Sequence, residues 1–573
     1  MKARRSLHLK PELAVEAPMV LNNESEFYWH ETADFVVLGY GGAGISAALQ
    51  AAESGLTVIA VDSFAGGGAT AMNGGIFYAG GGTSVQQALG IQDSPEQMYD
   101  YLKMEVADAV QPETLRRFCE GSVADFDWLK GHGVKFGDTY YPYKTFYPPS
   151  GYFLYHSDSS LAASYSAKTP ATARGHKYWH PPVNDATGFG VYMTDPLQKR
   201  AQSLGVTFWP RTQARRLIVN SSGQVLGAAV IRMPEGSVDT DQYSKAQEAA
   251  RSLLQKLPSS MPGFAKLEAK AKKSWDAAKF LQQQHGELRF IRAHKGVCLS
   301  AGGFIWNRAM LADHAPKSLP TMAMGSPGGD NGSGILLGKS VGGVTAFMDR
   351  VSSWRFINPP AEWPKGMLVN KQGRRFVNEV LYGAAIGHEL NEQPEGRGFI
   401  ILDRTLYRQS WRSAVWENLF PFMRLPLILA LLLQTKRGRT LGKLAKKINI
   451  SEENLRASVK RYNAVAHGYT IDEFGKSAKE CHALLEGPFY AVDVSASSKF
   501  FPCPAMTVGG LKVNEQSGQV LREDGSSIVG LYAAGRTAVG LPSNLYVSGL
   551  SAADCVFSGR RAALHAAKST IHA

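Results

Sequence analysis

The sequence lacks the features that mark disulfide-stabilised, zinc-binding and membrane-spanning proteins. It has only five cysteines in 573 residues, and their wide separation excludes a C-x-x-C pair or a Cys/His spacing of the zinc type. We therefore expect no disulfide framework, no metal site and a reducing, cytoplasmic environment. The longest apolar run, 425–433, has nine residues and contains Pro426, whereas a membrane-spanning helix needs about 20. No membrane-spanning segment is expected.

The remaining composition is that of an ordinary globular protein. Hydrophobic residues make up 44% and charged residues 19% of the chain, which excludes disordered and fibrous classes. Glycine occurs 59 times, so many backbone positions are tight turns or close approaches. A chain of this length forms at least two domains. Residues 1–10 are basic but are followed by Pro11 and Glu12, so a secretory signal is not expected.

The strongest local motif ends at Asp62. The apolar run 34–38 leads into G-x-G-x-x-G at 39–44, a helical pattern follows to Gly55, and a second apolar run precedes the aspartate. In such a β-α-β unit the glycines let a pyrophosphate approach the helix N-terminus, and the acid accepts a ribose hydroxyl. The pattern predicts dinucleotide binding, with a glycine-rich structural turn as the alternative. The expected contacts are Gly39, Gly41, Gly42, Ala43, Gly44, Asp62 and Ser63.

Two further segments suit a flat ring system. Residues 66–75 form a second glycine-rich stretch, which an NAD-binding domain does not normally need. Near the C-terminus, 530–535 has the pattern of a strand entering a turn, and 548–551 opens a long alanine-rich helix. The start of that helix offers backbone N–H groups to a negatively charged ring edge.

Together with the strand at 296–303, these segments resemble the flavoprotein family of succinate dehydrogenase, fumarate reductase and the 3-ketosteroid dehydrogenases. The resemblance covers 32–235 and 288–573. Within it, 74–87 and 174–177 are most similar to the Δ4-(5α) ketosteroid dehydrogenases and less similar to the Δ1 type. The resemblance implies an α/β fold, in which a discontinuous, Rossmann-like FAD-binding domain carries an inserted α+β substrate domain.

The resemblance also implies the cofactor, FAD. Its AMP half would lie on the β-α-β motif, and its isoalloxazine ring would lie along 69–75 and the start of the C-terminal helix. Relatives with covalent flavin carry a histidine near this loop. This chain has Asn73 there and no histidine between 31 and 131, so non-covalent FAD is expected. The further implied cofactor contacts are Gly68, Ala69, Thr70, Asn73, Gly74, Gly75, Ala301, Gly302, Gly535, Leu550 and Ser551.

The expected domain order has four parts. They are an N-terminal extension (1–31), the first part of the FAD-binding domain (32–315), the substrate domain (316–485) and the second part of the FAD-binding domain (486–573). A basic helical insert is expected at about 240–287, and an apolar and basic segment at about 411–447. Substrate is expected between the two domains, over the flavin.

The chain departs from the dicarboxylate-reducing members of this family. Those members use an arginine as proton donor after the motif found here at 370–379, and histidines that hold the carboxylates. Here no arginine follows the motif before Arg397, and the histidine is missing from 504–510. At these positions the chain therefore lacks the cationic side chains that would bind a dicarboxylate. Arg374 and Arg375, within the motif, are interpreted as surface charges.

Tyrosines occupy these places. By resemblance, Tyr382 stands where ketosteroid dehydrogenases have their catalytic tyrosine, Tyr546 lies beside the flavin helix, and Tyr140 and Tyr141 match a Tyr-Pro loop. Removing two hydrogens beside a ketone requires a base, a hydride acceptor and donors that stabilise the developing enolate. We assign proton transfer to Tyr382 and carbonyl polarisation to Tyr546 with the Gly549 amide. Tyr141 or Tyr140 would assist or line the pocket.

The resulting hypothesis is an FAD-dependent 3-ketosteroid dehydrogenase. It would introduce a ring double bond next to the 3-keto group by proton abstraction and hydride transfer to flavin N5. Two alternatives stay open: an ene-reductase acting on a non-dicarboxylate alkene, and a membrane-attached flavin subunit for electron transfer. The expected partners are a steroid-like substrate and an electron acceptor of the quinone type.

The net charge of +13 is concentrated in 241–300 and 435–461. In the first segment, apolar residues from Phe264 to Leu281 recur every three or four positions, which predicts a basic amphipathic helix. The second basic segment, 435–461, directly follows the apolar run at 425–433. An apolar run with a basic flank is typical of segments that lie at a membrane interface. Contact with the inner face of a membrane, internal packing and a homo-oligomer contact all stay open. Nucleic acid is not expected, because no recognition motif accompanies the charge.

Overall fold

A computed structural model gives the fold of residues 15–181, 188–259 and 261–569. The strands are β1 (Met19–Leu21), β2 (Glu31–Leu38), β3 (Val58–Val61), β4 (Ile76–Tyr78), β5 (Tyr140–Tyr141), β6 (Leu154–Tyr155), β7 (Gly175–Lys177), β8 (Thr207–Trp209), β9 (Thr212–Asn220), β10 (Val225–Arg232), β11 (Glu287–Leu299), β12 (Met322–Ala323), β13 (Thr345–Ala346), β14 (Val351–Ser353), β15 (Met367–Asn370), β16 (Gly398–Leu402), β17 (Thr435–Gly438), β18 (Phe489–Asp493), β19 (Pro504–Thr507), β20 (Gly510–Leu511), β21 (Gln519–Leu521) and β22 (Ser527–Ala533).

The helices alternate with these strands. They are α1 (Gly42–Glu53), α2 (Gly68–Ala71), α3 (Ser84–Ala88), α4 (Pro95–Val106), α5 (Pro112–Gly131), α6 (Ala163–Ser166), α7 (Val191–Ser203), α8 (Val238–Gln255), α9 (Phe264–His285), α10 (Arg308–His314), α11 (Ser333–Ser340), α12 (Gly383–Glu392), α13 (Arg404–Trp416), α14 (Pro421–Leu433), α15 (Leu441–Ile448), α16 (Glu452–Ala466) and α17 (Leu550–Lys568). None of the helices in the described ranges combines the length and hydropathy that a bilayer crossing requires.

The central sheet is built around the long strand β11. Within the described residues its order is β1-β9-β10-β11-β2-β3-β8, and β22, which carries β21, pairs with the second half of β11. β2 and β22 run parallel to β11 on its two sides, and β3 runs parallel to β2. The last four residues of β2 are buried, as in strands covered on both faces. The carboxyl ends of these parallel strands therefore meet at one edge.

The N-terminal residues contribute to this sheet. β2, α1 and β3 follow one another as a β-α-β unit, as the glycine motif predicted. Within the expected N-terminal extension, β1 pairs in parallel with β9, and Glu16 forms an ion pair with Arg215 at 3.0 Å. Residues 1–14 of that extension lie outside the described residues. The part from residue 15 onward is thus an edge of the domain.

A second hydrophobic core lies in the inserted domain. The antiparallel sheet β15-β16-β18-β17 packs against α13, α14, α15 and α16. Its core residues run from Ile357 to Phe501, whereas the sequence placed this domain at 316–485. Both boundaries differ because α11 buries Ile335 and Leu337 in the core of the central sheet, and because β18 is an inner strand of the inserted sheet.

The predicted basic insert is a helical hairpin, α8–α9, between β10 and β11. The apolar positions Phe264, Ala271 and Ala278 of α9 are buried, and α9 packs along α8. Of the interpretations left open for this segment, the structure shows internal packing for its apolar face, because those side chains contact the protein's own core.

The loop that leads into Tyr382 is held by a buried carboxylate, Glu379. Its Oε1 accepts hydrogen bonds from the Leu368 amide at 2.9 Å and from Arg375 Nε at 2.8 Å. Its Oε2 accepts from Arg375 Nη2 at 2.8 Å and from Lys476 Nζ at 3.0 Å. Opposite charges and an amide donor therefore satisfy the carboxylate completely inside the protein.

The prediction that Arg375 is a surface charge is wrong. Only 5% of its side chain is exposed, and it also forms an ion pair with Asp472. The loop folds back so that the backbone of Arg375 bridges to Val369 in β15, which turns the guanidinium inward. Arg374, by contrast, is exposed as predicted.

We expect Glu379→Gln to destabilise the protein strongly at neutral pH. Burial alone raises the pKa of Glu379, but the charges of Lys476 and Arg375 outweigh burial and lower it to about 2. Removing one partner of such a buried pair costs about 3–5 kcal/mol. Because the folded pKa lies below the ordinary value of 4.5, this stabilisation is present above that pH and is lost as the pH falls through the folded pKa.

Thermal denaturation followed by circular dichroism at several pH values checks this expectation. The gap between the unfolding temperatures of wild type and E379Q should be widest near pH 7 and should shrink as the pH falls from about 4.5 to about 2. Glu452→Gln, in an exposed pair with Arg456, should change the unfolding temperature little. Equal unfolding temperatures of wild type and E379Q at pH 7 would contradict the role of this network.

Candidate active site

The predicted dinucleotide contacts converge at the carboxyl edge of the central sheet. The 39–44 turn follows β2, Asp62 follows β3, 301–302 follow β11, and Gly535 follows β22. Leu299 of β11 pairs with a residue of β2 on one side and with a residue of β22 on the other. Loops that are up to 496 residues apart in sequence, from Gly39 to Gly535, therefore share one edge.

Two glycines of the turn have no space for a side chain. A Cβ atom on Gly44 would lie 1.9 Å from the carbonyl oxygen of Gly39. Gly39 itself has φ of 103° and packs against the backbone of Ser300 and Ala301. The turn thus brings the N-terminus of α1, including Gly42 and Ala43, to the sheet edge. Amides in the first turn of a helix lack intrahelical acceptors and attract phosphate.

Asp62 is oriented by two backbone amides. Its Oδ2 accepts from the Tyr40 amide and its Oδ1 from the Phe64 amide, both at 2.8 Å. Burial raises the pKa of Asp62, and these hydrogen bonds oppose the shift. A carboxylate has about four acceptor positions, so each oxygen retains capacity for a ribose hydroxyl. The carbonyl of the adjacent Ser63 accepts a hydrogen bond from Gln247 at 3.3 Å.

The predicted ring-binding loop is attached to the glycine turn. Gly68, Ala69 and Thr70 lie in α2, and Thr70 Oγ1 accepts a hydrogen bond from the Gly42 amide at 3.1 Å. Asn73 Oδ1 accepts from the Gly75 amide at 2.7 Å. The Gly74 carbonyl accepts from the Tyr147 hydroxyl at 2.8 Å. The loop therefore has a fixed shape beside the phosphate-binding turn.

The start of α17 reaches the same place from the C-terminal part of the chain. Gly549 is the N-cap residue, with φ of 89°, and Leu550 and Ser551 form the first helical turn. The Gly549 carbonyl accepts from the Tyr78 amide at 3.3 Å, and a Cβ atom on Gly549 would lie 2.6 Å from that nitrogen. The helix start thus lies directly beside β4, which follows the ring-binding loop.

A buried arginine completes this cleft. Arg536 Nη2 pairs with Asp330 Oδ1 at 2.7 Å, while its Nη1 is buried without a hydrogen-bond partner. Asp330 also accepts from the amides of Gly303 at 3.0 Å and Ser326 at 2.8 Å. A flavin dinucleotide requires a glycine turn at a helix N-terminus for its phosphates, an acceptor for a ribose hydroxyl and further donors. The N-terminus of α1, Asp62 and the unused Nη1 of Arg536 provide these groups. The residues present therefore fit FAD.

The structure brings Tyr382 and Tyr546 together. Tyr382 precedes α12, its amide donates to Ser159 Oγ at 3.0 Å, and its ring lies 5.6 Å from that of Phe356. The Gly549 amide donates to the Tyr546 hydroxyl at 3.4 Å. Burial raises the pKa of Tyr382 well above its usual value, and Tyr155 and Tyr546 add to the shift. Burial raises the pKa of Tyr546 to about 12, although the hydrogen bond from the Gly549 amide acts to lower it.

Sequence reasoning missed two members of this cluster. The side chain of Ser548 acts on the phenols of Tyr382 and Tyr155 and lowers the pKa of both. Ser548 directly precedes Gly549 in sequence, so its position beside the helix start could have been noticed. Tyr155 offered no such signal, because it reaches the cluster through the pairing of β6 with β5 and β7.

Of the two tyrosines in the predicted Tyr-Pro loop, one lies near the cluster. Tyr141 pairs with Tyr155 in the β5–β6 ladder, and it packs against the aromatic group that contains Tyr155. Tyr140 directly precedes Tyr141 in β5 and therefore points to the other face of the strand. Its hydroxyl is hydrogen-bonded to His156 Nε2 at 2.9 Å. Successive residues of a strand point to opposite faces.

The walls around the phenols combine aromatic rings with a buried lysine, Lys144. Phe146 stacks on Phe356 with ring centroids 4.1 Å apart, and Trp354 lies 5.1 Å from Tyr546. Lys144 donates to the Leu381 carbonyl at 3.3 Å, and burial lowers its pKa to about 7.

Arg355, next to this wall, is fully buried, and its charge is used inside the inserted domain. Its guanidinium donates to the carbonyls of Phe501 at 2.8 Å and Ser495 at 2.9 Å. Those hydrogen bonds turn it away from the phenols, so it offers no clamp to a substrate carboxylate.

Comparison with known proteins identifies the family of this chain. The family model described as "FAD binding domain" matches residues 34–546. A 3-oxo-5-alpha-steroid 4-dehydrogenase of Comamonas testosteroni is 34% identical over 527 residues, which cover 90% of this chain and 94% of that protein. A probable fumarate reductase of Shewanella frigidimarina is 23% identical over 551 residues, which cover 94% of this chain and 76% of that protein.

A solved structure shows the same architecture. It is the 3-ketosteroid-delta4-(5alpha)-dehydrogenase of Rhodococcus jostii RHA1 in complex with 4-androstene-3,17-dione, with a TM-score of 0.78 and 26% identity. The match covers 97% of this chain and all of that chain. The predictions of an α/β flavoprotein fold and of FAD as the cofactor are confirmed. The chain therefore belongs to the FAD binding domain family of flavoproteins and is an FAD-dependent oxidoreductase related to the 3-ketosteroid dehydrogenases.

Proposed function

We propose that this protein oxidises a 3-ketosteroid and introduces the Δ4 double bond of a 5α-reduced ring. The observation that carries the proposal is the cluster of Tyr382, Tyr546 and Ser548 at the start of α17, beside the rings of Phe356 and Trp354. Removal of hydrogens from adjacent carbons beside a ketone requires proton transfer and a polarised carbonyl. The Comamonas and Rhodococcus relatives carry this activity in their names, which supports the same substrate class here.

Tyr546 and the Gly549 amide would polarise the 3-keto group. The amide donates to the Tyr546 hydroxyl oxygen at 3.4 Å, so the two donor groups are adjacent, and a carbonyl oxygen bound beside them would replace the phenol oxygen as the acceptor of the amide. A pKa of about 12 keeps Tyr546 protonated at neutral pH, which leaves its proton free to donate. A carbonyl oxygen placed there would accept two hydrogen bonds, and these strengthen as the enolate develops.

Tyr382 would take the substrate proton. Its raised pKa makes its phenolate a strong base that is scarce at neutral pH, and the side chain of Ser548 acts to lower that pKa. Bound FAD supplies the hydride acceptor. Tyr141 would line the pocket, whereas Tyr140, bonded to His156, would hold the loop. We also propose that FAD is bound without a covalent link, because Asn73 occupies the ring-binding loop.

We further propose that α14 and α15 contact the inner face of an anionic membrane. Phe420 and Met423 of this region pack in the aromatic group beside the active site. Along α14, Leu425, Leu432 and Leu433 are 60%, 61% and 55% exposed, and the lysines of α15 at 443, 446 and 447 are exposed. Exposed leucines with a basic flank suit an interfacial helix. A steroid and a quinone electron acceptor would both reach the site from such a membrane.

The test of function is an anaerobic titration of the purified holoenzyme with a saturated 5α-3-ketosteroid and, separately, with a Δ4-3-ketosteroid. We expect the saturated ketone alone to bleach the flavin absorbance, because only it retains the hydrogens at the proposed position. Bleaching by the Δ4 ketone alone would indicate Δ1 chemistry. No bleaching by either would contradict the proposal and favour an ene-reductase or an electron-transfer subunit.

Removing the phenol hydroxyls should separate the two proposed roles. Tyr382→Phe should lower kcat by about 10²–10⁴, and Tyr546→Phe by about 10²–10³ through loss of a carbonyl donor. Wild-type kcat should rise with pH from about 6 to 9, since the phenolate fraction rises tenfold per pH unit below the pKa, and Tyr382→Phe should lose this slope. Tyr143→Phe, at a residue that is 69% exposed, is the control. An unchanged slope in Tyr382→Phe would exclude it as the base.

Membrane contact is tested by co-sedimentation with vesicles of phosphatidylcholine, with and without phosphatidylglycerol. Wild type should bind the anionic vesicles and lose binding at high salt. The double variant Leu425→Glu/Leu432→Glu should bind more than tenfold more weakly, because burying each leucine is worth about 1.5–3 kcal/mol. Val529→Glu, at an exposed apolar residue of β22, should bind as wild type does. Equal binding of the double variant and wild type would refute the assignment to α14.

A further inference from the structure

The α8–α9 hairpin lies over the AMP end of the FAD cleft. Gln247 of α8 donates to the Ser63 carbonyl, directly after Asp62. Trp275 of α9 lies 6.1 Å from the ring of Phe64 and directly against Gly328, where an added Cβ atom would come within 2.6 Å of the indole. The hairpin thus contacts both the loop after β3 and the loop before Asp330, which border the predicted adenosine site.

One charged side chain on this hairpin, Arg251, forms no salt bridge with a described carboxylate. Arg251 is one turn after Gln247 on α8, so both residues lie on the face that contacts the cleft. Its Nη2 donates to two uncharged acceptors, Met72 Sδ and Ser326 Oγ, each at 3.4 Å. Its guanidinium lies 4.8 Å from the ring of Phe64. Its Nε is buried without a hydrogen-bond partner.

No described carboxylate forms a salt bridge with Arg251. Burial lowers the pKa of Arg251 and outweighs the charges of Asp62 and Glu248, which act in the opposite direction. A partly buried guanidinium without an anion is unfavourable. Such a site is completed when an anion with two coplanar acceptor oxygens binds, and phosphate provides that geometry.

We propose that Arg251 is a pyrophosphate-binding residue and that the α8–α9 hairpin covers the AMP half of FAD. Arg251 lies between α2, which borders the glycine turn, and the loop at Ser326. The pyrophosphate belongs at the N-terminus of α1, and α2 is hydrogen-bonded to that N-terminus through Thr70. Part of the basic excess of the chain is therefore directed at the cofactor and not at a membrane or a nucleic acid.

The test replaces Arg251 with methionine, which has a similar length and no charge. FAD affinity is measured by fluorescence titration of apoprotein prepared by reversible removal of FAD, and by the rate of flavin release on dilution of the holoenzyme. We expect Arg251→Met to weaken FAD binding about ten- to a hundredfold, as for loss of a charge-assisted hydrogen bond. Arg251→Lys should recover part of the affinity, since it restores the charge without the planar fork.

The melting temperature of the apoprotein distinguishes binding from structural support. Because Arg251 forms no salt bridge with a described carboxylate and its burial is unfavourable, Arg251→Met should leave that temperature unchanged or raise it, in the opposite direction to its effect on FAD affinity. Lys245→Met, at an exposed position of the same helix, should change neither quantity. A loss of affinity smaller than about fivefold would overturn the proposal, and so would a parallel fall in the melting temperature of the apoprotein.

Discussion

The structure depends on the position of one strand, β11, between two parallel neighbours. β2 and β22 pair with its last residues from opposite sides, so the turns after all three strands emerge at one edge. This pairing brings the glycine turn at 39–44, the 301–302 turn and Gly535 together, although almost the whole chain separates the first from the last. The position of the FAD site follows from the convergence of these turns at one edge of the sheet.

The inserted domain contributes chemistry to the edge without sharing the core of the sheet. Its own hydrophobic core holds a rigid loop, in which Glu379 is clamped by Arg375 and Lys476. That clamp lies three residues before Tyr382 and so limits where the phenol can go. Ser548 and Tyr546, which precede α17, supply the opposite side of the site. The candidate reaction centre is therefore an interface of two independently packed cores.

The excess positive charge has two separate locations with different physical surroundings. In the α8–α9 hairpin the apolar face is buried against the protein, and Arg251 lies inward, beside the cleft. In α14 and α15, apolar and basic side chains remain exposed next to each other. The sequence alone made the two segments look alike, because a helical pattern of apolar and basic residues does not state which surface the apolar face covers.

The sequence by itself determined the dinucleotide motif and its β-α-β unit, and its family resemblance indicated the FAD-binding fold and selected Tyr382 and Tyr546 as candidates. These features depend on short-range patterns: tight glycine turns, apolar periodicity and motifs of fixed spacing. The tertiary structure alone decided that Arg375 is buried, that Tyr155 and Ser548 join the phenols, that Tyr140 and Tyr141 face opposite ways, and that Arg251 lies beside the cleft. Each of these depends on contacts between residues distant in sequence, and strand pairing and helix packing select such contacts without a local signal.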